Sequence, residues 1–435
     1  MKKVLSVLLM LALVFSLCIA LASCNGKTGE DAGKESSPAE SSSEKESGNE
    51  TDTKDELKIG FIYLHDQNST YDRNFMDGAK AACEKLGVTY LEKVPIPEGN
   101  ECYEAAADLV NQGCSLVFAD SFGHEDFLIK AAEEFPDVEF CHATGTQAHT
   151  EKLDNFHNAF ASIYQGRFLA GIAAGMKLNE MIEDGKFKAE DAKIGYVGAY
   201  TYAEVISGYT SFFLGARSVC PTATMEVQFT GSWYDETAEK NAAETLIERG
   251  CKLISQHADS MGAPTACEDA GVPDISYNGS TKEACPNTFI VSSRINWEPY
   301  FEYIIDCVKN DKPIDVDWTG TLDNESVLLT EVNEKAAAEG TVAAIEEAKE
   351  KLSKGEIEVF DVSSFTVTVT DSKNVNATVD GEGHLTGYQA DVDTDEAFQG
   401  DTEVVENGAF HESKFRSAPY FDIQIDGIEL LNMMF

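Results

Sequence analysis

From Leu57 onward, short apolar runs alternate with longer stretches in which apolar residues recur every three or four positions. Lys58 to His65 (KIGFIYLH) reads as a strand buried on both faces. Asn74 to Leu86 reads as a helix with Phe75, Ala79, Ala82 and Leu86 along one side. A strand at Val88–Pro95, a helix at Tyr103–Gln112 ending at Gly113, a strand at Ser115–Asp120, a helix at Glu125–Phe135 and a strand from Val138 follow. The rhythm restarts at Ala192. Strands are expected at Ala192–Ala199, Thr224–Thr230, Lys252–Gln256 and Pro273–Tyr277, with helices at Ala203–Arg217, Glu236–Arg249 and Pro264–Ala270 between them. Buried strands alternating with helices predict parallel sheets with right-handed crossovers.

The pattern predicts an α/β fold of two doubly wound parallel-sheet lobes joined by a hinge. Residues 57–162 form the first lobe and 163–310 the second with its crossing helices. Residues 311–360 and 407–435 are expected back on the first lobe, and 361–406 form a β/loop insertion. The helix Ile163–Leu178 carries the chain across, and the strand from Ile290 with the helix Trp297–Lys309 carries it back. Hinge segments are expected at Phe160–Tyr164, at Ser292–Asn296 and after Asp311.

Before Leu57 the pattern changes. Lys2 and Lys3 precede an apolar stretch from Val4 to Ala22, the layout of a secretory signal. Leu21-Ala22-Ser23-Cys24 looks like a bacterial lipobox, which makes 1–23 a lipoprotein signal peptide and Cys24 the lipidation site. Residues 25–56 carry four lysines against ten acids and almost no aliphatic side chain. Too little apolar surface exists there to offset ordering entropy, so 24–56 reads as a disordered acidic linker. The folded part is expected outside the cytoplasm, attached to the membrane through the lipid alone.

Charge narrows the partners. The chain has 33 basic and 76 acidic residues, a net charge of −43, the wrong sign for nucleic acid. Of eleven cysteines, Cys18 leaves with the signal and Cys24 is lipidated. The other nine are an odd number, several within apolar runs where they act as small hydrophobes. A bridge such as Cys102 with Cys114 stays open; metal binding is not expected. No nucleophile elbow, zinc-helix motif or phosphate loop appears, so no enzyme and no cofactor is expected. His257, Asp259 and Ser260 are close in sequence, but neighbours at a strand end turn apart.

Ligands of open α/β sheets collect at the carboxyl ends of strands. Those ends include Leu64-His65-Asp66, Asp120-Ser121-Phe122-Gly123, His142-Ala143-Thr144-Gly145, Gly231-Ser232-Trp233, Gln256-His257-Ala258-Asp259-Ser260 and Tyr277-Asn278-Gly279. Aromatic faces beside carboxylates and amides suit a flat ligand with hydrogen-bonding edges. Taken singly, such residues often do no more than cap the next helix.

Five stretches carry a resemblance. They are IGFIYLHDQNSTYDRNF from Ile59, FCHATGT from Phe140, NFHNAFASIYQGRFLAGIAAG from Asn155, EVISGYTSFFLGA from Glu204, and SWYDETAEKNAAETLIERGCKLISQHADS from Ser232. Together they closely resemble the basic membrane protein family, the PnrA-like substrate-binding lipoproteins of ABC importers, from about Leu57 to Phe360. The resemblance implies a type I periplasmic-binding-protein fold, a purine nucleoside or nucleobase ligand, ABC permease subunits as partners and a monomer. It places Tyr71, with Asp72 beside it, and Phe122 in the first-lobe wall of the pocket. Glu204, Trp233, Asp259, Asn278 and Trp297 fall where the second lobe and the return hinge face the cleft. The better-known nucleoside binders usually place an Asp-rich run in the first loop and an acidic residue near Asn278; this sequence departs from both, so free base and nucleoside are both expected candidates. A sensory partner in place of a permease, or a sugar or amino acid ligand, are the alternatives.

Replacing Cys24 by Ser should release the folded part or leave an unprocessed precursor. Membrane fractionation with mass analysis of the N-terminus checks this; mature Cys24→Ser protein retained on the membrane would refute lipidation there.

Overall fold

The computed structural model describes residues 57–392 and 402–435. The signal-like segment, Cys24, the acidic linker and 393–401 of the insertion lie outside those residues.

The first lobe runs β1 (Lys58–Ile62), α1 (Thr70–Leu86), β2 (Thr89–Lys93), α2 (Asn100–Asn111), β3 (Leu116–Ala119), α3 (Glu125–Glu134), β4 (Glu139–Ala143), the single turn α4 (Ala148–Glu151) and β5 (Phe156–Ala161). The second runs α5 (Ile163–Glu183), β6 (Lys193–Gly198), α6 (Ala203–Val219), β7 (Thr224–Phe229), α7 (Glu236–Glu248), β8 (Leu253–Gln256), α8 (Gly262–Ala270), β9 (Asp274–Tyr277) and β10 (Phe289–Ile295). Then come α9 (Glu298–Lys309), β11 (Asp317–Gly320), β12 (Val327–Leu329) and α10 (Thr341–Ser353). The remainder is β13 (Ala377–Val379), β14 (Leu385–Ala390), β15 (Thr402–Glu403), β16 (Val405–Glu406), β17 (Ala409–Phe410) and β18 (Ile428–Leu430).

The first sheet is parallel throughout, in the order β11-β5-β4-β3-β1-β2. The second is β12-β10-β9-β8-β6-β7-β18, parallel except for β12. Helix α1 starts four residues before the apolar period predicts, because Ser69 caps it, accepting from the Asp72 N–H at 3.2 Å. Strand β5, every residue of it buried, is not among the strands expected above.

Two placements differ from expectation. Of 311–360, only β11 joins the first sheet; β12 pairs antiparallel with β10, and α10 packs on α5 through its buried Ile345, Ala348 and Leu352 face. The C-terminal stretch of 407–435 likewise goes to the second lobe. Ile428, Glu429 and Leu430 pair with Met225, Glu226 and Val227 and cover the open edge of β7. A strand pattern of three residues does not say which sheet edge it will cover. Between them, Phe360 stacks on Phe421 at 4.3 Å and meets Tyr164 at 5.4 Å, tying the extension to the foot of α5. All nine described cysteines are free and buried.

Helices α5 and α6 approach backbone to backbone. A Cβ on Gly171 would lie 2.0 Å from the Phe212 carbonyl oxygen, on Gly175 2.4 Å from that of Ala216, and on Gly215 2.0 Å from that of Phe168. Gly171 and Gly175 of the GRFLAGIAAG run and Gly215 of the FFLGA run are therefore demanded by this crossing. The chain passes between lobes at Ala161–Ile163, Ile295–Trp297 and Gly320–Val327. These crossings are laced together by Ser162 N–H to Gly320 O and Asn296 N–H to Ser326 O, both 2.8 Å.

Among the buried acids, three mark the pH range over which stability changes. Burial pushes Glu412 up to about 8, and Asp274 and Glu239 each up to about 7. Unfolded carboxyls titrate near ~4, so each holds its proton more tightly in the folded chain. The stability this gives is fully present below about pH 4 and is lost as pH rises through about 7 to 8.

Gly171→Val should lower stability by about 3 kcal/mol through overpacking, while Gly381→Ala, where an added Cβ meets nothing within 4 Å, stays within about 0.5 kcal/mol. Urea melts check both. The melting temperature should rise by roughly 5 °C between about pH 8.5 and about pH 6, and Glu412→Gln should flatten that slope; calorimetry across the range decides.

Candidate functional site

Strand ends of both sheets meet in the interlobe cleft. Leu64 and His65 follow β1, Ser121 and Phe122 follow β3, and Thr144 follows β4. From the second lobe come Glu204 on α6, Trp233 after β7, His257 and Asp259 after β8, and Tyr277 closing β9. With Tyr71 and Asp72 of α1, they enclose a cavity of about 20 Å³, room for little more than a water at ~10–15 Å³. The lobes touch around it: Thr70 N–H donates to Asp259 O at 3.2 Å, His65 lies 5.5 Å from Tyr234, and Phe122 stacks on Tyr202 at 5.3 Å.

Six of the eight candidate ligand residues, Tyr71, Asp72, Phe122, Glu204, Trp233 and Asp259, stand in this wall. Trp297 does not. It is 1% exposed and stacks on Phe75 at 4.4 Å, with Phe118, Phe160, Tyr300 and Phe301 around it. A tryptophan just past a crossing point is drawn into the nearest apolar core, here that of the first lobe under the hinge. Asn278 also stands behind the wall. It takes a left-handed conformation (φ 64°), accepts from Asn74 Nδ2 across the lobes at 3.2 Å and donates to Asp259 Oδ1 at 3.4 Å.

The acids are differentiated by their neighbours. Burial alone would raise Asp72, yet the His65 side chain, Ser69 Oγ at 2.5 Å and the His65 N–H at 2.7 Å hold it below the ordinary aspartate range. Burial, with the Asp72 charge beside it, pushes Asp120 well above that range. Asp72 is thus the charged member of the pair and Asp120 the proton holder. Burial, then the charges of Asp72, Glu239 and Glu204, push Asp259 well up and favour its donating form. The cleft therefore offers a charged acceptor on the first lobe and a proton-bearing carboxyl on the second. Tyr71 Oη donates to Asp120 O at 2.8 Å, which turns the ring toward the cavity.

His65, Ser121, Thr144, His257 and Tyr277 are wall residues that the residue-by-residue selection passes over, although each lies at a strand end named above. Thr144 carries a signal of its own: a β-branched residue at φ 64°, a conformation held only where the surroundings over-determine it. His257, Asp259 and Ser260 turn to separate partners, respectively Glu204, Asn278 and the Gly262 N–H.

Past Phe122, Thr144 and Glu204 the cleft widens into a chamber of about 700 Å³. Its outer wall is the extension, including Arg416, Tyr420 and Gln424. Arg416 donates to the Ala418 and Pro419 carbonyl oxygens at 3.2 and 3.1 Å. The inner cavity thus opens into a partly roofed space.

The family described as ABC transporter substrate-binding protein PnrA-like (Bmp) matches residues 64–362. A purine-binding protein of Brucella abortus is 32% identical over 259 residues, 58% of this chain and 69% of that one. A putative ABC transporter glucose-binding protein of Haloferax volcanii is 31% identical over 56% of each chain, so this chain spans just over half of it. An ABC transporter nucleoside-binding protein of Lactococcus lactis is 23% identical over 48% of this chain and 57% of its own length. Among solved structures, an ABC transporter solute-binding protein from Aeropyrum pernix has a TM-score of 0.59 at 18% identity, covering 73% of this chain and 94% of that one. One from Conexibacter woesei has a TM-score of 0.55 at 19% identity, covering 69% and 98%; both share the fold. The family match runs through both sheets and all three crossings, and the chain belongs to the PnrA-like family of ABC transporter substrate-binding proteins.

Proposed function

We propose that this chain is the extracytoplasmic, lipid-anchored receptor of an ABC importer and binds a purine base or nucleoside between its lobes. The observation that carries this reading is the convergence of Tyr71, Phe122 and Trp233 with Asp72, Glu204 and Asp259 on one interlobe cavity. Aromatic faces stack on a flat ring, and acceptors beside a protonated carboxyl read an edge that both donates and accepts. The purine-binding relative and the nucleoside-binding relative support the same class. Acids predominate over the single arginine of the outer chamber, and that arginine donates to backbone carbonyls. An uncharged ligand therefore fits better than a phosphorylated one.

A cavity of about 20 Å³ does not admit a ring, so entry requires the lobes to part at the three crossings, the hinge closure of two-lobed binding proteins. The outer chamber lies on that route. Among the described residues no helix is long and apolar enough to cross a membrane; attachment in this reading belongs to Cys24. The second reading, a sugar ligand, is favoured by the glucose-binding relative alone.

Calorimetry with adenine, guanine, adenosine, guanosine, inosine and glucose separates the two. At least one purine should bind. Phe122→Ala and Trp233→Ala should weaken it about 5- to 150-fold, from stacking of ~1–3 kcal/mol per contact. Trp297→Ala should lower the melting temperature and leave relative affinities unchanged. Saturable glucose binding with no purine binding would overturn the purine assignment and leave the family intact.

A further inference from the structure

Three of the runs singled out in the sequence, YQGRFLAG, EVISGY and SQHADS, meet at one buried point behind the cleft. Arg167, on the second turn of α5, is 0% exposed. Its Nη2 donates to the Tyr196 hydroxyl, to Gln256 O at 2.9 Å and to His257 Nδ1 at 3.2 Å. Its guanidinium lies over the Tyr277 ring, 3.8 Å from the centroid, a cation–π contact. Nε and Nη1 meet no acceptor among the described residues. Burying a cation on neutral partners with two idle donors is costly, so packing alone does not account for an arginine here.

The chemistry of the contact decides the state of His257. A guanidinium only donates, so the Nδ1 atom 3.2 Å away must present its lone pair. The Tyr196 hydroxyl, 3.4 Å from Nδ1, accepts from Arg167 and has its own hydrogen to give to the same atom. Nδ1 is thus ringed by donors, and the ring hydrogen belongs on Nε2. Nε2 faces Glu204 Oε1 at 3.4 Å. Burial, with the Arg167 charge in support, holds His257 below the ordinary histidine range, in keeping with a neutral ring. Gly208 makes room: a Cβ there would lie 2.9 Å from His257 Nδ1 and 3.5 Å from Arg167 Nε. Glu204, one turn earlier on α6, lines the cavity.

We propose that Arg167 is a positioning residue that locks His257 as the Nε2–H tautomer, so that His257 donates to Glu204 and leaves the other Glu204 oxygen to accept from the ligand. The group met there is one that donates, a ring or amino N–H or a hydroxyl. This last step rests on the ligand reading above; the tautomer does not. Arg167 is suited to this place because its guanidinium plane lies over the Tyr277 ring while Nη2 alone faces the three acceptors, a combination the ammonium of a lysine lacks.

The test is the two-bond ¹H–¹⁵N spectrum of full-length protein in detergent, ¹⁵N-labelled at histidine, with His257 assigned by comparison with His257→Gln. The wild type should show the Nε2–H pattern at His257, and Arg167→Leu should move it toward Nδ1–H or a mixture. Should Arg167→Leu fail to fold, Gly208→Ala, whose methyl displaces the ring from Arg167, and Tyr196→Phe give the same comparison. Guanosine affinity should fall about tenfold with the loss of the tautomer. A wild-type Nδ1–H or doubly protonated ring, or an unchanged tautomer in the folded variants, overturns the proposal. A lowered melting temperature with the tautomer intact marks Arg167 as structural only and overturns it equally. Failure of every purine to bind, with the tautomer switching as expected, refutes the ligand reading and sustains the positioning role.

Discussion

Where α5 and α6 cross, the distance between them is set by the absence of side chains. Gly171, Gly175 and Gly215 each face a carbonyl oxygen of the partner helix at a separation no Cβ tolerates. The cleft's second-lobe wall inherits that distance. Arg167 lies one turn before Gly171 on α5, and Glu204 and Gly208 lie on the turns of α6 before Gly215. Wider spacing would carry Arg167 away from His257, and His257 away from Glu204. Close packing of this kind leaves two arrangements, seated or displaced, with little between them. The crossing thus supports the lobe and also calibrates the electrostatics of its binding face.

That electrostatics is a problem of too many acids. Asp72, Asp120, Glu204, Glu239 and Asp259 lie in or just behind one cleft of a chain with net charge −43. They do not all stay charged. Donors gathered at the N-terminus of α1 keep the charge on Asp72, while burial keeps protons on Asp120 and Asp259. The result is a face that both accepts and donates, with no cluster of metal-ligating side chains and no lysine or arginine in its wall among the described residues. In the ligand reading proposed above, such a mixture suits a neutral heterocycle, whose edge alternates donors and acceptors, better than a phosphate.

Most of this frame can be read from periodicity, since buried parallel strands and amphipathic helices leave opposite marks on a sequence. The strand-to-helix turns that build the cleft followed directly. What escaped depends on contacts distant in sequence. β5 is embedded in a motif whose residues look equally suited to helix or strand. β12 is three residues long and makes sense only beside β10. Asn278 and Trp297 have the chemistry of ligand contacts, yet one is turned into an Asp259 clamp by a left-handed backbone and the other is captured by Phe75 and its neighbours. Arg167 was visible within the YQGRFLAG run, but nothing local to that helix announces His257, ninety residues on.

The segment beyond the family match is held unequally by the two lobes. Its hold on the second lobe is extensive: β18 pairs with β7, Asn432 exchanges two hydrogen bonds with the Phe229 backbone, and Met434 exchanges two with Thr201. Toward the first sheet it makes a point contact, the Ser417 N–H donating to Asp317 Oδ2 at 2.7 Å. Backbone pairing along a strand outlasts one side-chain acceptor, because several bonds must break together. In the opening proposed above, the extension would therefore travel with the second lobe, and the Ser417–Asp317 bond is one it would have to break. The chamber roof would then lift away from Phe122 and Thr144 in that same motion.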